Sequence, residues 1–474
     1  MSINRRKRNL FVASAALVAA AAGMPSAHAT SAAFVNWPGY LGGPAHDGYQ
    51  KAAKAITPAN AASLTSAWSD SIGVLSTPAV YNGVVYVGGS SGNFYALNEA
   101  TGATIWSDTI GTVKGTTCGG RGFASSATVA PAPGTGAITV YVASPTGYMY
   151  AFDAATGAVD WQTVIDIPST TQNDYFDWSS PAVANGKVYV GVSSQCDQPL
   201  VRAGAMSFDQ ATGKHLATYF SVPAGSVGGS VWSSPAVDAA GHVWVTTGNG
   251  PSTNQLLADS DSIVELSGTT MRKLARYQIP NPHGTDSDFG ASPTLFSAVL
   301  PGQTTTTRLV GACNKNGEYY VLNRDHPAAG PVWTKVIGAP SANGTPDECI
   351  EAANYDGKHL FMAGPEVTLG GVSYLGSVME LDPATGNTIW QSGVDGVTDG
   401  SSTLSGGGLV SVATFDIKSG TPESADYLFN ASTGAAVATI PTGSPQYATP
   451  VFADKTLLLG TVSGLSAYTL PSAS

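Results

Sequence analysis

The chain has 474 residues and is poor in charge, since Asp, Glu, Lys and Arg make up only 11% of it. Its net charge of −11 argues against nucleic acid as a partner, because nucleic-acid-binding surfaces are basic. The 56 glycines favour a fold with many turns and few helices.

Residues 1–29 have the pattern of an export signal rather than of a folded domain. Four basic residues at 5–8 precede an apolar run from Leu10 to Gly23, and AlaHisAla at 27–29 is a suitable cleavage site. The apolar run is too short to span a membrane, and no later stretch is long enough. We therefore expect a periplasmic or secreted protein. Its mature part carries a net charge of −15, since the leader holds four basic and no acidic residues.

A repeat with a period of about 50 residues fills the mature chain, and such a period is typical of β-propellers. Thr-Gly motifs mark five copies, at 96–106, 151–161, 207–213, 380–390 and 428–434. Strand-type starts mark eight copies, near 76, 125, 179, 233, 291, 348, 401 and 448. We therefore predict an all-β fold: one eight-bladed β-propeller over residues 30–474.

The last copy stops at 467–470, before its fourth strand. Residues 64–69 have the pattern of that missing strand, and pairing them with the last copy would close the ring and remove both sheet edges. A helical turn is expected only near 58–64. The Trp that follows Thr-Gly in three copies is predicted to pack between neighbouring blades, so these motifs report fold rather than activity.

Several loop stretches carry side chains suited to chemistry. They are CysGlyGlyArgGlyPheAla at 118–124, SerSerGlnCysAspGlnProLeuValArg at 193–202, GlyGlySerValTrp at 228–232, ThrThrGlyAsnGly at 246–250, TyrGlnIleProAsnProHisGlyThrAspSerAspPheGly at 277–290 and AsnLysAsnGlyGluTyr at 314–319. With the repeats, they resemble the quinoprotein dehydrogenases, which are eight-bladed enzymes that use pyrroloquinoline quinone (PQQ) and a bound metal ion. The short loops further resemble the polyvinyl-alcohol dehydrogenase-like branch.

The resemblance assigns a role to two residues of blade 4. Trp232 corresponds to the floor under the quinone, and Asn249 corresponds to a metal ligand. Both roles are physically reasonable, because a flat indole stacks on a tricyclic ring and an amide oxygen suits a hard cation. A Trp at a blade interface and an Asn in a turn are the structural alternatives.

In the segment 277–290, Asp286 best matches the family's catalytic base, which removes the proton of the alcohol. Asp288 lies two residues further on, so in an extended segment both carboxylates share a face and are predicted to bind one cation. Lanthanide-using members carry such an extra Asp, so the resemblance allows Ca2+ or a lanthanide. A solvated acidic loop is the alternative.

Two basic residues match positions that contact the cofactor in the family. Lys315 corresponds to the residue directed at the quinone oxygens, where a fixed cation stabilises the negative charge that builds as the quinone is reduced. Arg121 corresponds to the residue that pairs with a PQQ carboxylate, a contact that the guanidinium fork suits well.

Two departures from the family pattern bear on activity. The family has two adjacent cysteines near Arg121, but only Cys118 is present here. The family also has a metal-binding Glu where this chain has Gln198, an uncharged ligand, with Asp197 beside it as a substitute.

Four cysteines in an exported protein allow three patterns of two disulfides. Their places in loops of adjacent blades, on the presumed cofactor side, favour Cys118–Cys196 and Cys313–Cys349.

The sequence therefore predicts a PQQ-dependent dehydrogenase that oxidises a small or polymeric alcohol. A separate protein such as a cytochrome c would take the electrons, because the chain has no CysxxCysHis haem motif. The alternative is a non-catalytic propeller that acts as a scaffold or binding module, like the outer-membrane assembly scaffold. No nucleophile-elbow or P-loop motif supports a hydrolase.

Overall fold

The computed structural model describes residues 34–113, 121–166, 174–252, 255–280, 287–338, 349–415 and 424–471. These residues form eight four-stranded antiparallel sheets in chain order, so the predicted eight-bladed propeller is confirmed. No helix within the described ranges is long and apolar enough to cross a membrane.

The strands of each blade follow one another in the chain. Blades 1 to 4 contain Ala79–Tyr81, Val84–Gly88, Asn93–Asn98 and Thr104–Thr109; Thr128–Pro131, Ile138–Ala143, Tyr148–Asp153 and Val159–Val164; Ala182–Ala184, Lys187–Val192, Gly204–Asp209 and His215–Phe220; Ala236–Val237, His242–Thr246, Ser262–Ser267 and Lys273–Gln278. Blades 5 to 7 contain Thr294–Ala298, Thr307–Cys313, Glu318–Asn323 and Pro331–Val336; Asn354–Tyr355, Leu360–Gly364, Gly376–Leu381 and Thr388–Val394; Thr403–Ser405, Leu409–Ala413, Ala425–Asn430 and Ala436–Pro441.

Blade 8 closes the ring. Its strands Val451–Ala453, Thr456–Thr461 and Gly464–Thr469 are completed by Thr65–Asp70, which pairs antiparallel with the last of them. The predicted closure by residues 64–69 is therefore confirmed, and it gives blade 8 four strands like the other blades. The expected removal of both sheet edges is wrong, because Thr65–Asp70 is itself the terminal strand of the sheet and pairs on one side only.

Little else in the described chain is regular structure. Blade 6 carries a hairpin of Val367–Leu369 and Val372–Tyr374, and blade 7 gains a fifth, parallel strand, Tyr49–Gln50. The described residues contain 3-10 turns at Tyr40–Gly42, Ala61–Ser63 and Pro327–Ala329. The second of these confirms the turn expected near 58–64.

The Thr-Gly and Trp motifs hold neighbouring blades together, as predicted. Trp106 of blade 1 donates its indole N–H to the carbonyl of Ala154 in blade 2, at 3.0 Å. A Cβ at Gly157, whose φ is +74°, would lie 2.7 Å from the Trp106 ring. The turn therefore requires glycine for its backbone and for the close approach of the indole. Trp161 and Gly213 repeat this contact between blades 2 and 3.

A ring of hydroxyl groups joins the blades around the axis. The backbone N–H of Ser126 donates to Ser180 Oγ at 3.0 Å, and that of Ser180 donates to Ser234 Oγ at 2.9 Å. The backbone N–H of Thr449 in blade 8 donates to Thr77 Oγ1 of blade 1 at 3.1 Å. The ring is interrupted in blade 6, where Ala352 donates to Ser401 Oγ but carries no hydroxyl group. The Ser-Ser-Pro motifs at the blade starts thus satisfy buried backbone donors and fix the inner ends of the blades.

Candidate functional site

A cavity of about 630 Å³ lies where the loops of blades 3, 4 and 5 meet. Each of these blades contributes the loop before its first strand and the loop after its second strand. Because the two strands are antiparallel, both loops lie at the same end of the blade. The cavity is lined by Trp178, Ser194, Gln195, Cys196, Asp197, Gln198, Ser230, Trp232, Asn249, Asp288 and Lys315.

Asp288 and Lys315 form a buried ion pair in this cavity. Asp288 Oδ2 lies 3.4 Å from Lys315 Nζ, and the two side chains are only 7% and 9% exposed. Asp288 Oδ1 accepts the backbone N–H of Asn249 at 2.5 Å. A Cβ at Gly248 would lie 2.5 Å from Asp288 Oδ1, so a side chain there would displace the carboxylate. Gly248 thus leaves the space that the Asp288 carboxylate fills beside Lys315.

Two indoles form aromatic walls of the cavity. The ring of Trp232 lies 5.3 Å from Lys315 Nζ, and its buried N–H has no hydrogen-bond partner among the described residues. The ring of Trp178 lies 5.2 Å from the guanidinium of Arg121. Arg121 therefore stands beside the cavity without lining it, and both basic residues lie next to an aromatic face.

The segment after the second strand of blade 3 brings both candidate replacements for the family's Glu to the cavity. Asp197 and Gln198 line it, and Ser194 Oγ donates to Asp197 Oδ1. Within the described ranges, no group of three or more His, Cys, Asp or Glu side chains is arranged to hold a metal ion. A cation here would therefore depend on the amide oxygens of Asn249 and Gln198 as well as on carboxylates.

The predicted disulfide Cys313–Cys349 is present, with a Cα–Cα distance of 5.5 Å. It joins the loops before Lys315 and before blade 6. Cys196 is also disulfide-bonded, while its predicted partner Cys118 lies outside the described residues. Asp286, the predicted base, lies outside them as well.

The sequence analysis missed Trp178. The signal was available, because TrpSerSerPro occurs at 178–181 and again at 232–235, so the two indoles hold equivalent places in blades 3 and 4. Trp178 and Trp232 also line a second, axial cavity of about 140 Å³, to which Tyr40, Ile350 and Asp399 contribute. The two indoles thus separate the larger cavity from the axial one.

The sequence profile of the PQQ family, described as the glucose/ethanol/alcohol dehydrogenase β-propeller domain, matches residues 37–334. The chain belongs to this family. The match begins at Trp37, three residues after the start of the described chain, and ends within the last strand of blade 5. It therefore includes every residue that lines the larger cavity.

Two curated relatives are enzymes that act on alcohols according to their names. Quinohemoprotein alcohol dehydrogenase ADH IIB of Pseudomonas putida is 26% identical over 315 residues, which are 57% of this chain and 43% of that protein. Polyvinylalcohol dehydrogenase of Sphingopyxis sp. (strain 113P3) is 27% identical over 308 residues, which are 54% of this chain and 43% of that protein. The matched region spans less than half the length of either relative.

A solved structure confirms the fold. Quinohemoprotein alcohol dehydrogenase ADHIIG from Pseudomonas putida HK5 superposes with a TM-score of 0.72 at 19% identity, over 93% of this chain and 81% of that chain. At this identity the likeness concerns the architecture alone.

Proposed function

We propose that this protein is a PQQ-dependent dehydrogenase that oxidises an alcohol outside the cytoplasm. The observation that carries the proposal is the single cavity in which an indole wall, a buried Lys–Asp pair and several oxygen donors converge. Family membership supports the cofactor, and the export pattern of residues 1–29 supports the location.

The residues present suit PQQ. The cofactor is a flat tricyclic tricarboxylate, and the Trp232 indole offers a flat surface whose buried N–H is without a described partner. Lys315 and Arg121 supply positive charge for quinone oxygens and carboxylates. A cavity of about 630 Å³ has room for this ring system together with a substrate alcohol.

When bound, PQQ supplies the acceptor for the hydride of the alcohol carbon, and a hard cation polarises the carbonyl that accepts it. The protein's part is to hold the reactants and to take the hydroxyl proton. Asp288 suits that task, because Lys315 keeps an opposite charge beside its carboxylate in a buried site. Asp286 remains the alternative base predicted from sequence.

Asn249 and Asp288, together with Gln198 or Asp197, would hold the cation, either Ca2+ or a lanthanide. The four side chains line one cavity, and all present oxygen atoms, the donor type that hard cations take. The family has a metal-binding Glu where this chain has the uncharged Gln198. The carboxylate of Asp197 would replace the charge that this position has lost.

The name of the Sphingopyxis relative supports a polymeric substrate as one option beside a small alcohol. A separate cytochrome c-type protein is the proposed electron acceptor, and the net negative charge of the mature chain suits a basic partner.

The test is a titration of purified mature protein with PQQ, in calcium and then in lanthanum, followed by quenching of Trp fluorescence. We expect saturable, metal-dependent quenching and then alcohol oxidation with an artificial dye acceptor. Absence of binding with either metal would overturn the proposal and favour the non-catalytic scaffold. A Trp232→Phe variant, which keeps a flat but smaller ring, is the control that assigns the quenching to the cavity.

A further inference from the structure

Glu351 is a fully buried carboxyl group outside the cofactor cavity. It lies just before the first strand of blade 6 and is 1% exposed. Its Oε1 lies 2.7 Å from Thr398 Oγ1, and its Oε2 accepts the backbone N–H of Ile350 at 3.1 Å. Glu351 has no part in the proposed binding of PQQ or the cation, or in the proposed proton transfer.

The contacts of Thr398 indicate that Glu351 is protonated. Thr398 Oγ1 lies 2.8 Å from the carbonyl oxygen of Gly364 as well as 2.7 Å from Glu351 Oε1. A carbonyl oxygen only accepts hydrogen bonds, so the single hydroxyl proton of Thr398 belongs to the contact with Gly364. Thr398 has one proton for two acceptors, so both contacts are fully satisfied only when Glu351 is a neutral acid that donates to Thr398.

The electrostatic surroundings agree with this assignment. Burial raises the pKa of Glu351 to about 8, although the hydrogen bonds with Thr398 and with backbone N–H groups act to lower it, and the like charge of Asp399 adds a smaller upward contribution. Tyr40, from the N-terminal segment, also faces it, and burial raises the pKa of that phenol. His46 packs edge-on against Tyr40, and burial lowers its pKa to about 4, so it is neutral near neutral pH. Asp399 in turn interacts electrostatically with Tyr447.

Glu351 is connected to the cofactor cavity through Ile350. A Cβ at Gly290 would lie 2.5 Å from Cη2 of Trp232 and 2.6 Å from Cγ2 of Ile350, so the indole edge and this isoleucine meet over the glycine. The next residue towards the N-terminus, Cys349, is disulfide-bonded to Cys313, two residues before Lys315. The segment that Glu351 anchors therefore places Ile350 beside the indole edge and is covalently joined to the strand that ends two residues before the lysine.

We propose that neutral Glu351 is a positioning residue for the cofactor cavity: it holds Ile350 against the Trp232 indole, and its ionisation releases that contact. An ionised carboxylate would remove the proton from the Thr398 contact and leave a buried charge with no described cation to balance it. Water entry or displacement of residues 349–351 would then relieve the cost. The inference rests on the proposed function only in naming PQQ as the ligand.

The first experiment needs no cofactor. Trp fluorescence of the purified full-length mature protein is followed from about pH 6 to about pH 9.5, and we expect a transition with a midpoint near the pKa of about 8. The transition should be lost in Glu351→Gln, whose amide keeps both hydrogen bonds without titrating. It should also be lost in Trp232→Phe, which assigns the signal to that indole.

Asp426→Asn is the matched control. Asp426 is another fully buried carboxyl group with a raised pKa, but it lies in blade 7 and is hydrogen-bonded by Ser411. This variant should keep the transition of the wild type. A transition that persists unchanged in Glu351→Gln, or that disappears in Asp426→Asn, would overturn the proposal.

The second experiment measures PQQ affinity at fixed calcium. Between about pH 7 and about pH 9, we expect the Kd of the wild type to rise about tenfold and that of Glu351→Gln to change less than about twofold. An equal rise in both proteins would contradict the proposal. Failure of the proposed function looks different, because PQQ would then bind to no variant at any pH while the fluorescence transition remained.

Should Glu351→Gln fail to fold, infrared spectroscopy of a variant that combines Asp177→Asn with Asp426→Asn provides the remaining test, because burial also raises the pKa of these two carboxyl groups well above the ordinary value. A carbonyl band of a protonated carboxyl group should persist at neutral pH and disappear with a midpoint near the pKa of about 8. Loss of all such bands below about pH 6 would show that Glu351 is ionised and would overturn the proposal.

Discussion

The two sides of the propeller axis share a scaffold and differ in their loops. Blade 1 begins with LeuSerThrPro at 75–78, whereas blades 3 and 4 begin with TrpSerSerPro at 178–181 and 232–235. The hydroxyl ring is continuous through all three, because the backbone N–H of Thr77 donates to a serine as that of Ser180 does. Directly before the hydroxyl ring, blade 1 has Leu75 where blades 3 and 4 have a Trp. This single difference in sequence changes the wall of a cavity and leaves the blade intact.

The loops after the second strands differ in the same way. Blade 1 has Gly89 and Ser90 where blade 5 has Asn314 and Lys315. Lys315 pairs with Asp288, but the loop of blade 1 carries no charged side chain. The comparison shows that the strands and the hydroxyl ring are shared, while the loops of three consecutive blades supply the charged and aromatic side chains of the candidate site.

The largest effect on activity is expected at Asp288, in the loop before the first strand of blade 5. Asp288→Asn should lower kcat by roughly 10²–10⁴-fold, because it removes the proposed proton acceptor and keeps its shape. It should also weaken PQQ binding in calcium, because Asp288 is a proposed ligand of the cation. Steady-state kinetics with a dye acceptor and a fluorescence titration would measure the two quantities.

Asp286→Asn is the matched control for this prediction. Full activity in Asp288→Asn combined with loss of activity in Asp286→Asn would return the role of the base to the residue predicted from sequence.

The disulfide Cys313–Cys349 tests whether the loops of the active side need extra stabilisation. It closes a loop with a sequence separation of 36 residues. Replacement of both cysteines by serine should lower the free energy of unfolding by about 2–4 kcal/mol. Urea unfolding under oxidising conditions would measure this, and an unchanged midpoint would contradict it.

A substitution on the scaffold should cost stability without altering the site. Gly157→Ala places a methyl group against the Trp106 ring at a φ of +74°. We expect a loss of about 1–3 kcal/mol in the free energy of unfolding, with PQQ affinity preserved in the protein that remains folded.

Gly134→Ala separates the two causes of this loss. Its φ is +82°, but nothing lies within 4 Å of the added Cβ, so it reports the backbone cost alone. Equal losses in the two variants would mean that the contact with Trp106 contributes nothing.

The smallest expected effect restores the family's metal ligand. Gln198→Glu adds a carboxylate to the cavity wall beside Asp197 and should tighten Ca2+ binding about tenfold in the presence of PQQ. Calorimetric titration would detect it. Weaker binding in the variant would indicate that Asp197 already fills the ligand position and that a second charge repels it.

Much of the fold was predictable because its determinants are local and repeated. Each copy carries its own strand pattern, and several add the turn glycine and the Trp, so the number of blades and a closing strand at 64–69 followed from periodicity; the strand lies at Thr65–Asp70. The disulfide Cys313–Cys349 was predictable for a related reason, since the two cysteines lie at the same end of adjacent blades, one at the end of the second strand of blade 5 and the other before the first strand of blade 6.

The sequence by itself determined the propeller, its closure and the residue types available at one end of the axis. Only the tertiary structure decided which of them meet: Asp288 against Lys315, Trp178 and Trp232 in the lining of one cavity, and Glu351 buried against Thr398. The reason is physical. Strand patterns act over a few residues, whereas the site is assembled from loops far apart in the chain, whose distances are set by the closed ring and by burial.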